Sequence, residues 1–197
     1  NSRQRGFGDT FDANGDIGEF ARSIGPEYAY INLGSSGDSL SQYIASNTNR
    51  TYLKRYCTTA CLEHAINALR SGSGQNKTAA AVLVEQQTML ALFAGKRRIV
   101  STTGPQASST DTWTTLANQT VNSNAAQIRL FNDAIRAGVA NADAYFEIAD
   151  VYESARNTTK WKVDGTAGKY TLDGLHGTRA MYDLIYSSGA VNPDQIQ

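Results

Sequence analysis

Short runs of aromatic and β-branched residues alternate with longer stretches of helical periodicity along this chain. Residues 28–33 read Tyr-Ala-Tyr-Ile-Asn-Leu and stop at Gly34, which predicts a strand. Residues 58–66 predict a second strand. Residues 98–103, Arg-Ile-Val-Ser-Thr-Thr, predict a third, ended by Gly104-Pro105. Residues 144–151 predict a fourth. Between them the spacing of apolar positions changes to that of helices. Residues 16–24 place Ile17, Phe20, Ala21 and Ile24 on one face. Residues 39–46 carry Leu40, Tyr43 and Ile44 behind a Ser/Asp cap. Residues 77–94 form the clearest helix, with Ala80, Val84, Gln87, Leu90 and Ala91 as its stripe and Gly95 as its stop. Residues 124–140 align Ile128, Phe131, Ile135 and Val139. Residues 178–188 turn Met181, Leu184 and Ile185 inward and end at Gly189. The Ser/Thr-rich stretch 107–115 reads as loop.

Strands alternating with helices predict an α/β protein, a three-layer α/β/α sandwich around a mostly parallel sheet. No internal repeat or long linker divides the chain, so the expectation is one domain spanning residues 1–197. In such a sheet, ligands bind beyond the carboxyl ends of the strands.

Composition narrows the function classes. Lys+Arg and Asp+Glu both number 18, so the net charge is zero and no nucleic-acid footprint is present. Mean hydropathy is −0.40, and no apolar run approaches the roughly 18 residues of a membrane span. No apolar signal-peptide core follows the charges of the opening residues. The chain is then cytosolic, already processed, or exported by another route, and the reading leans to an extracellular protein or one processed from a larger precursor. Cys57 and Cys61 form a lone C-x3-C; on a strand their Cα atoms stand about 13 Å apart, too far for a disulfide. No second cysteine pair completes a zinc site. No glycine-rich phosphate-binding motif opens a helix, so a nucleotide cofactor is not expected.

The chemistry-bearing residues are dispersed. Gly37 follows the first predicted strand in Gly34-Ser35-Ser36-Gly37-Asp38-Ser39. Asn67 ends the second, in Glu63-His64-Ala65-Ile66-Asn67. Asp173 and His176 precede the last helix in Asp173-Gly174-Leu175-His176. Acyl transfer at a serine needs a base, a group to orient it, and donors for the developing oxyanion. His176 suits the base because imidazole exchanges protons near neutral pH. Asp173, three residues earlier, suits the orienting group. A glycine at 37 lets a substrate approach the main chain, and Asn67 offers a side-chain amide. His64 reads as a hydrogen-bonded core or cleft-wall histidine.

In order and spacing these blocks resemble the SGNH (GDSL-type) hydrolases over nearly the whole chain. The resemblance implies a serine esterase with Asp173 and His176 in its triad, Gly37 and Asn67 in its oxyanion hole, and no cofactor. It also implies an ester substrate, such as an O-acetylated carbohydrate. Thr112, Trp113, Trp161 and Tyr170 are candidates to stack on sugar rings. Ala65 and Ala68 replace the glycine and aspartate of the family's Asn block, and Gly177 stands where proline is usual. Those changes keep open a catalytically inactive carbohydrate-binding or assembly module. Two residues compete for the nucleophile. Gly8-Asp9-Thr10 copies the family's Gly-Asp-Ser with threonine, but the polar residues 1–7 make no strand before it. Ser2 has the spacing to Gly37 that the family shows, and it is preferred. The strand leading to Ser2 would then lie upstream of Asn1, supplied by a segment of a precursor or another polypeptide.

Overall fold

The computed structural model describes all 197 residues. The chain opens with a hydrogen-bonded coil and then forms α1 (Ala21–Ile24), α2 (Leu40–Ala45) and α3 (Thr48–Tyr52), the last running into a 3-10 turn at Leu53–Tyr56. Then come β1 (Thr59–Leu62), α4 (Ile66–Leu69), α5 (Ala79–Leu92) and β2 (Arg97–Ser101). A hairpin of β3 (Ala107–Ser109) and β4 (Gln119–Val121) precedes α6 (Ala125–Ala137), β5 (Ala144–Phe146), α7 (Ala149–Tyr152) and α8 (Arg179–Ser188). The main sheet is parallel, in the order β1-β2-β5, with Cys61, Ile99 and Ala144 in register.

Alternation along the strands divides the apolar residues between two layers. Leu62 and Val100 face a core built with α2, α4, α5 and α6, including Tyr43, Val82, Leu90, Ile128 and Phe131. Cys61, Ile99 and Phe146 face a second core built with α1, α7, α8 and Trp161. This is the α/β/α sandwich that the alternation predicts.

Three of the four predicted strands form, each shorter than its pattern. Residues 58–66 pair only over Thr59–Leu62, and the chain then turns into α4, so Asn67 sits on a short helix and not at a strand end. Residues 144–151 pair only to Phe146 before α7 begins. The prediction fails at residues 28–33. They are coil, and residues 29–33 make no backbone hydrogen bond. A strand needs a paired edge, and none adjoins this segment. The stretch 107–115 is not all loop, because β3 pairs antiparallel with β4.

The helices lie near their predicted positions. Ser39 closes a capping box with Gln42 at the start of α2, and Gly189 takes the left-handed conformation after α8. On α5 the buried stripe is Ala79, Val82, Gln86, Met89 and Leu90, whereas Val84 is exposed. Apolar residues surround this helix, so periodicity alone did not choose its face. On α6 the buried Ile128, Phe131 and Ile135 agree with the pattern.

Candidate active site

Asn1 accepts the backbone N–H groups of Arg3 and Gln4 on its side-chain oxygen, at 3.0 and 3.2 Å. This asparagine turn holds Ser2 in a tight coil. Across it, Ser2 Oγ lies 2.7 Å from His176 Nε2. His176 Nδ1 lies 2.6 Å from Asp173 Oδ2. The other carboxylate oxygen, Asp173 Oδ1, accepts the backbone N–H groups of Leu175 and His176 at 2.9 and 2.8 Å. Partial burial alone would raise the Asp173 carboxyl. The hydrogen bonds from the His176 ring and from these two amides outweigh it and hold the group well below the usual carboxylate range. Asp173 is thus an anion over the working pH range, fixing the His176 ring with Nε2 toward the serine. Phe7 packs beside the imidazole, with ring centroids 4.3 Å apart.

Thr10, the competing nucleophile, is exposed and accepts from Arg179 at 3.3 Å, away from His176. Asp9 beside it is committed to a buried ion pair with Arg22 at 2.7 Å and to the Gly18 amide at 2.9 Å.

The Asp173–His176 loop is held from behind. Gly174 has φ +70°, and its carbonyl accepts from Trp161 Nε1 at 2.8 Å and from the Ala107 amide at 3.1 Å. A Cβ at Gly174 would stand 1.8 Å from the Ala107 carbonyl oxygen and 2.9 Å from the Trp113 ring. β3 and two tryptophans therefore clamp the loop, which sequence reading missed. Trp161 is fully buried with its N–H so engaged, which removes it as a sugar platform.

Arg3 ties the serine loop to its surroundings. It is fully buried and donates to the carbonyls of Leu175 at 2.9 Å and Pro105 at 2.8 Å. It also reaches Thr103 Oγ1 at 3.4 Å, which in turn donates to Glu63 at 2.9 Å. One side chain thus links Ser2's own turn to the histidine loop and to the end of β2. Its place next to Ser2 was the only sequence signal for it.

Gly37 has φ +77° with open space where a Cβ would stand, and its backbone N–H makes no internal hydrogen bond. The Ser2 N–H is free likewise. Asn67 is buried; its amide donates to the Asp38 carbonyl at 2.9 Å and its oxygen accepts from Arg70 at 3.2 Å. This orients the amide and leaves one N–H unused. His64 joins the Gly37 and Asn67 loops to the serine turn: its Nδ1 accepts from the Asn1 amino group at 3.1 Å, and its Nε2 faces Asp38 at 3.5 Å. Burial lowers the pKa of His64, against the pull of Asp38. It is a cleft-wall residue, as its sequence context suggested.

Glu19 is fully buried below the serine turn, where Gln4 and Tyr152 donate to it. Desolvation first, then the nearby Glu63, push its carboxyl up to about 8, against the pull of Arg3. Below pH 4.5 it is protonated folded or unfolded. As the pH rises toward 8 only the unfolded chain ionises it, so stability is lost across that interval. Melting temperature should therefore fall from pH 5 to pH 8 by about 5 °C more in the wild type than in Glu19→Gln. Equal slopes in thermal melts would contradict a protonated Glu19.

The chain matches no protein-family model and no curated protein. Among solved structures, that of a candidate acylhydrolase from Bacteroides fragilis has a TM-score of 0.62, covering 84% of this chain and 76% of its own at 17% identity. At that identity the likeness establishes the shared fold.

Proposed function

We propose that the protein is a serine hydrolase of the SGNH type that cleaves a small acyl ester, with Ser2 as nucleophile, His176 as base and Asp173 as its orienting anion. The observation that carries this reading is the hydrogen-bonded relay from Ser2 Oγ through His176 to Asp173. In it, Ser2 Oγ attacks the ester carbonyl while its proton passes to His176 Nε2. The carbonyl oxygen becomes an anion, with the Ser2 and Gly37 N–H groups and the spare Asn67 N–H as its donors. Collapse of this intermediate breaks the ester C–O bond, and His176 returns the proton to the departing alcohol. Water, activated by the same imidazole, then releases the acid. The fold shared with a candidate acylhydrolase supports the reading.

The substrate we favour is an O-acetyl ester on a carbohydrate. Phe7 is 55% exposed beside the His176 ring, an apolar plate for a sugar face.

A fluorophosphonate probe should attach to Ser2, located by peptide mass spectrometry, and p-nitrophenyl acetate should be turned over. Attachment at Thr10 would overturn the nucleophile assignment. No labelling and no turnover would leave the binding or assembly module. Asn67→Ala should lower kcat by about 10²–10³-fold, the usual loss for one oxyanion donor. An unchanged kcat would remove Asn67 from the mechanism.

A further inference from the structure

Arg70 ends α4, three residues beyond Asn67, and is half-buried. Its Nε donates to Asn67 Oδ1 at 3.2 Å, so the guanidinium lies against the amide that offers its spare N–H to the oxyanion. The two terminal nitrogens, Nη1 and Nη2, make no hydrogen bond and are not sealed from solvent. The other arginines near the catalytic loops are already committed. Arg3 is spent on the carbonyls of Leu175 and Pro105, Arg22 pairs with Asp9, Arg50 with Asp38 and Arg179 with Asp183. Arg70 has no ion-pair partner.

The charges that act on Arg70 place it toward the histidine loop. Desolvation lowers its pKa, Arg3 adds to that effect and Asp173 opposes it. Asp173 does not neutralise it, because that carboxylate is taken by the His176 ring and by the amides of Leu175 and His176.

The backbone around Arg70 is fixed. Its N–H donates to the Ile66 carbonyl at 3.0 Å, and its carbonyl accepts from Ser73 Oγ at 2.9 Å. The next amide, of Ser71, donates to Asn122 Oδ1 at 3.0 Å. The Asn122 amide in turn donates to the Gln106 carbonyl at 3.0 Å, one residue beyond the Pro105 carbonyl that Arg3 holds. Arg70 thus stands on the scaffold that carries the serine turn, with its fork tethered at Nε before a ligand arrives. A planar guanidinium with both terminal nitrogens unspent matches a carboxylate in two parallel hydrogen bonds.

We propose, on the serine-hydrolase reading above, that Arg70 determines the specificity of the site: its terminal nitrogens bind a carboxylate carried by the alcohol part of the ester. Acetyl, the favoured acyl group, carries no charge, so the acid belongs to the alcohol. The substrate class is then an O-acetylated hydroxy acid, of which an acidic sugar is one form.

Steady-state kinetics on meta- and para-acetoxybenzoate, each against the matching uncharged acetoxybenzamide, read this preference as a ratio of kcat/KM values. Arg70→Met should lower the ratio by about 30–100-fold, the worth of a charge-assisted pair of hydrogen bonds. Arg70→Lys should lower it by about tenfold, because the charge stays and the fork is lost. Arg70→Met should also slow the benzamides, in kcat, through Asn67. The additional loss on the acids should appear in KM. Equal losses on acid and amide would mean that Arg70 only positions Asn67, and would overturn the proposal. So would a preference confined to an acyl-borne carboxylate, read from phenyl hydrogen succinate against phenyl butyrate. Turnover of the benzamides without a wild-type preference for either acid overturns this assignment alone. No turnover of any ester removes the serine-hydrolase reading together with it. Should Arg70→Met not fold, product inhibition of the wild type supplies the second measurement. Hydroxybenzoate should inhibit at least tenfold more strongly than hydroxybenzamide at low salt, about the scale of one guanidinium–carboxylate pair, and lose that advantage as salt rises. Equal inhibition by the two would overturn the proposal.

Discussion

Alanine at Ser2 or at His176 is expected to lower turnover of a small acetyl ester by on the order of 10⁴–10⁶-fold. The two side chains share one proton at a separation of 2.7 Å. Without the imidazole the hydroxyl keeps its proton; without the hydroxyl the imidazole has no nucleophile to activate. The losses should therefore not add, and the double variant should be scarcely slower than either single one. Steady-state kinetics with p-nitrophenyl acetate measure all three. A His176→Ala protein that turned over near the wild-type rate would require a different base. His64 cannot be that base from its present position, because its Nδ1 is engaged by Asn1.

Gly174→Ala should be the most damaging substitution outside the reacting groups. The new methyl would lie 1.8 Å from a backbone oxygen, so the loop or β3 must move. The positive φ adds strain of its own. Together these should cost on the order of 2–4 kcal/mol of stability. Activity should fall further than stability suggests, by about 10²-fold in folded protein, because the same loop fixes both Asp173 and His176. Thermal melts and kinetics on the folded fraction check the two numbers separately. A variant with normal kinetics would show that the clamp behind the loop does not position the imidazole.

Most of the layer architecture was legible from hydrophobic spacing. The helices that became α5, α6 and α8 fell inside their predicted runs, with Gly189 ending α8 as expected, and so did β1 and β5, whereas β2 begins one residue before its run. The failures have separate physical causes. Residues 28–33 have strand chemistry but no neighbour to pair with, and sequence composition does not report a missing partner. The face of α5 was unreadable because its apolar residues encircle it. The β3–β4 hairpin hides in Ser/Thr-rich sequence with weak strand preference. At the site, Ser2, Asp173 and His176 could be picked out by order and residue type, and the fold brings these three side chains into hydrogen-bond contact. Arg3, Glu19, Gly174 and Trp161 could not be found in the same way. Their importance comes from burial and from contacts across long stretches of chain.

The hairpin tip offers a practical opportunity for redesign. Asp111 gathers it by accepting from Ser109 Oγ at 2.6 Å, Thr115 Oγ1 at 2.7 Å and Asn118 Nδ2 at 3.0 Å. The tip thus ties itself together, while its base contacts the histidine loop through Ala107 and Trp113. A library that randomises residues 116–117 and keeps Ser109, Asp111, Trp113, Thr115 and Asn118 would alter the surface of the tip and preserve its internal hydrogen bonds. The clamp on Gly174 would be untouched, so the tip could be varied separately from the loop that carries His176.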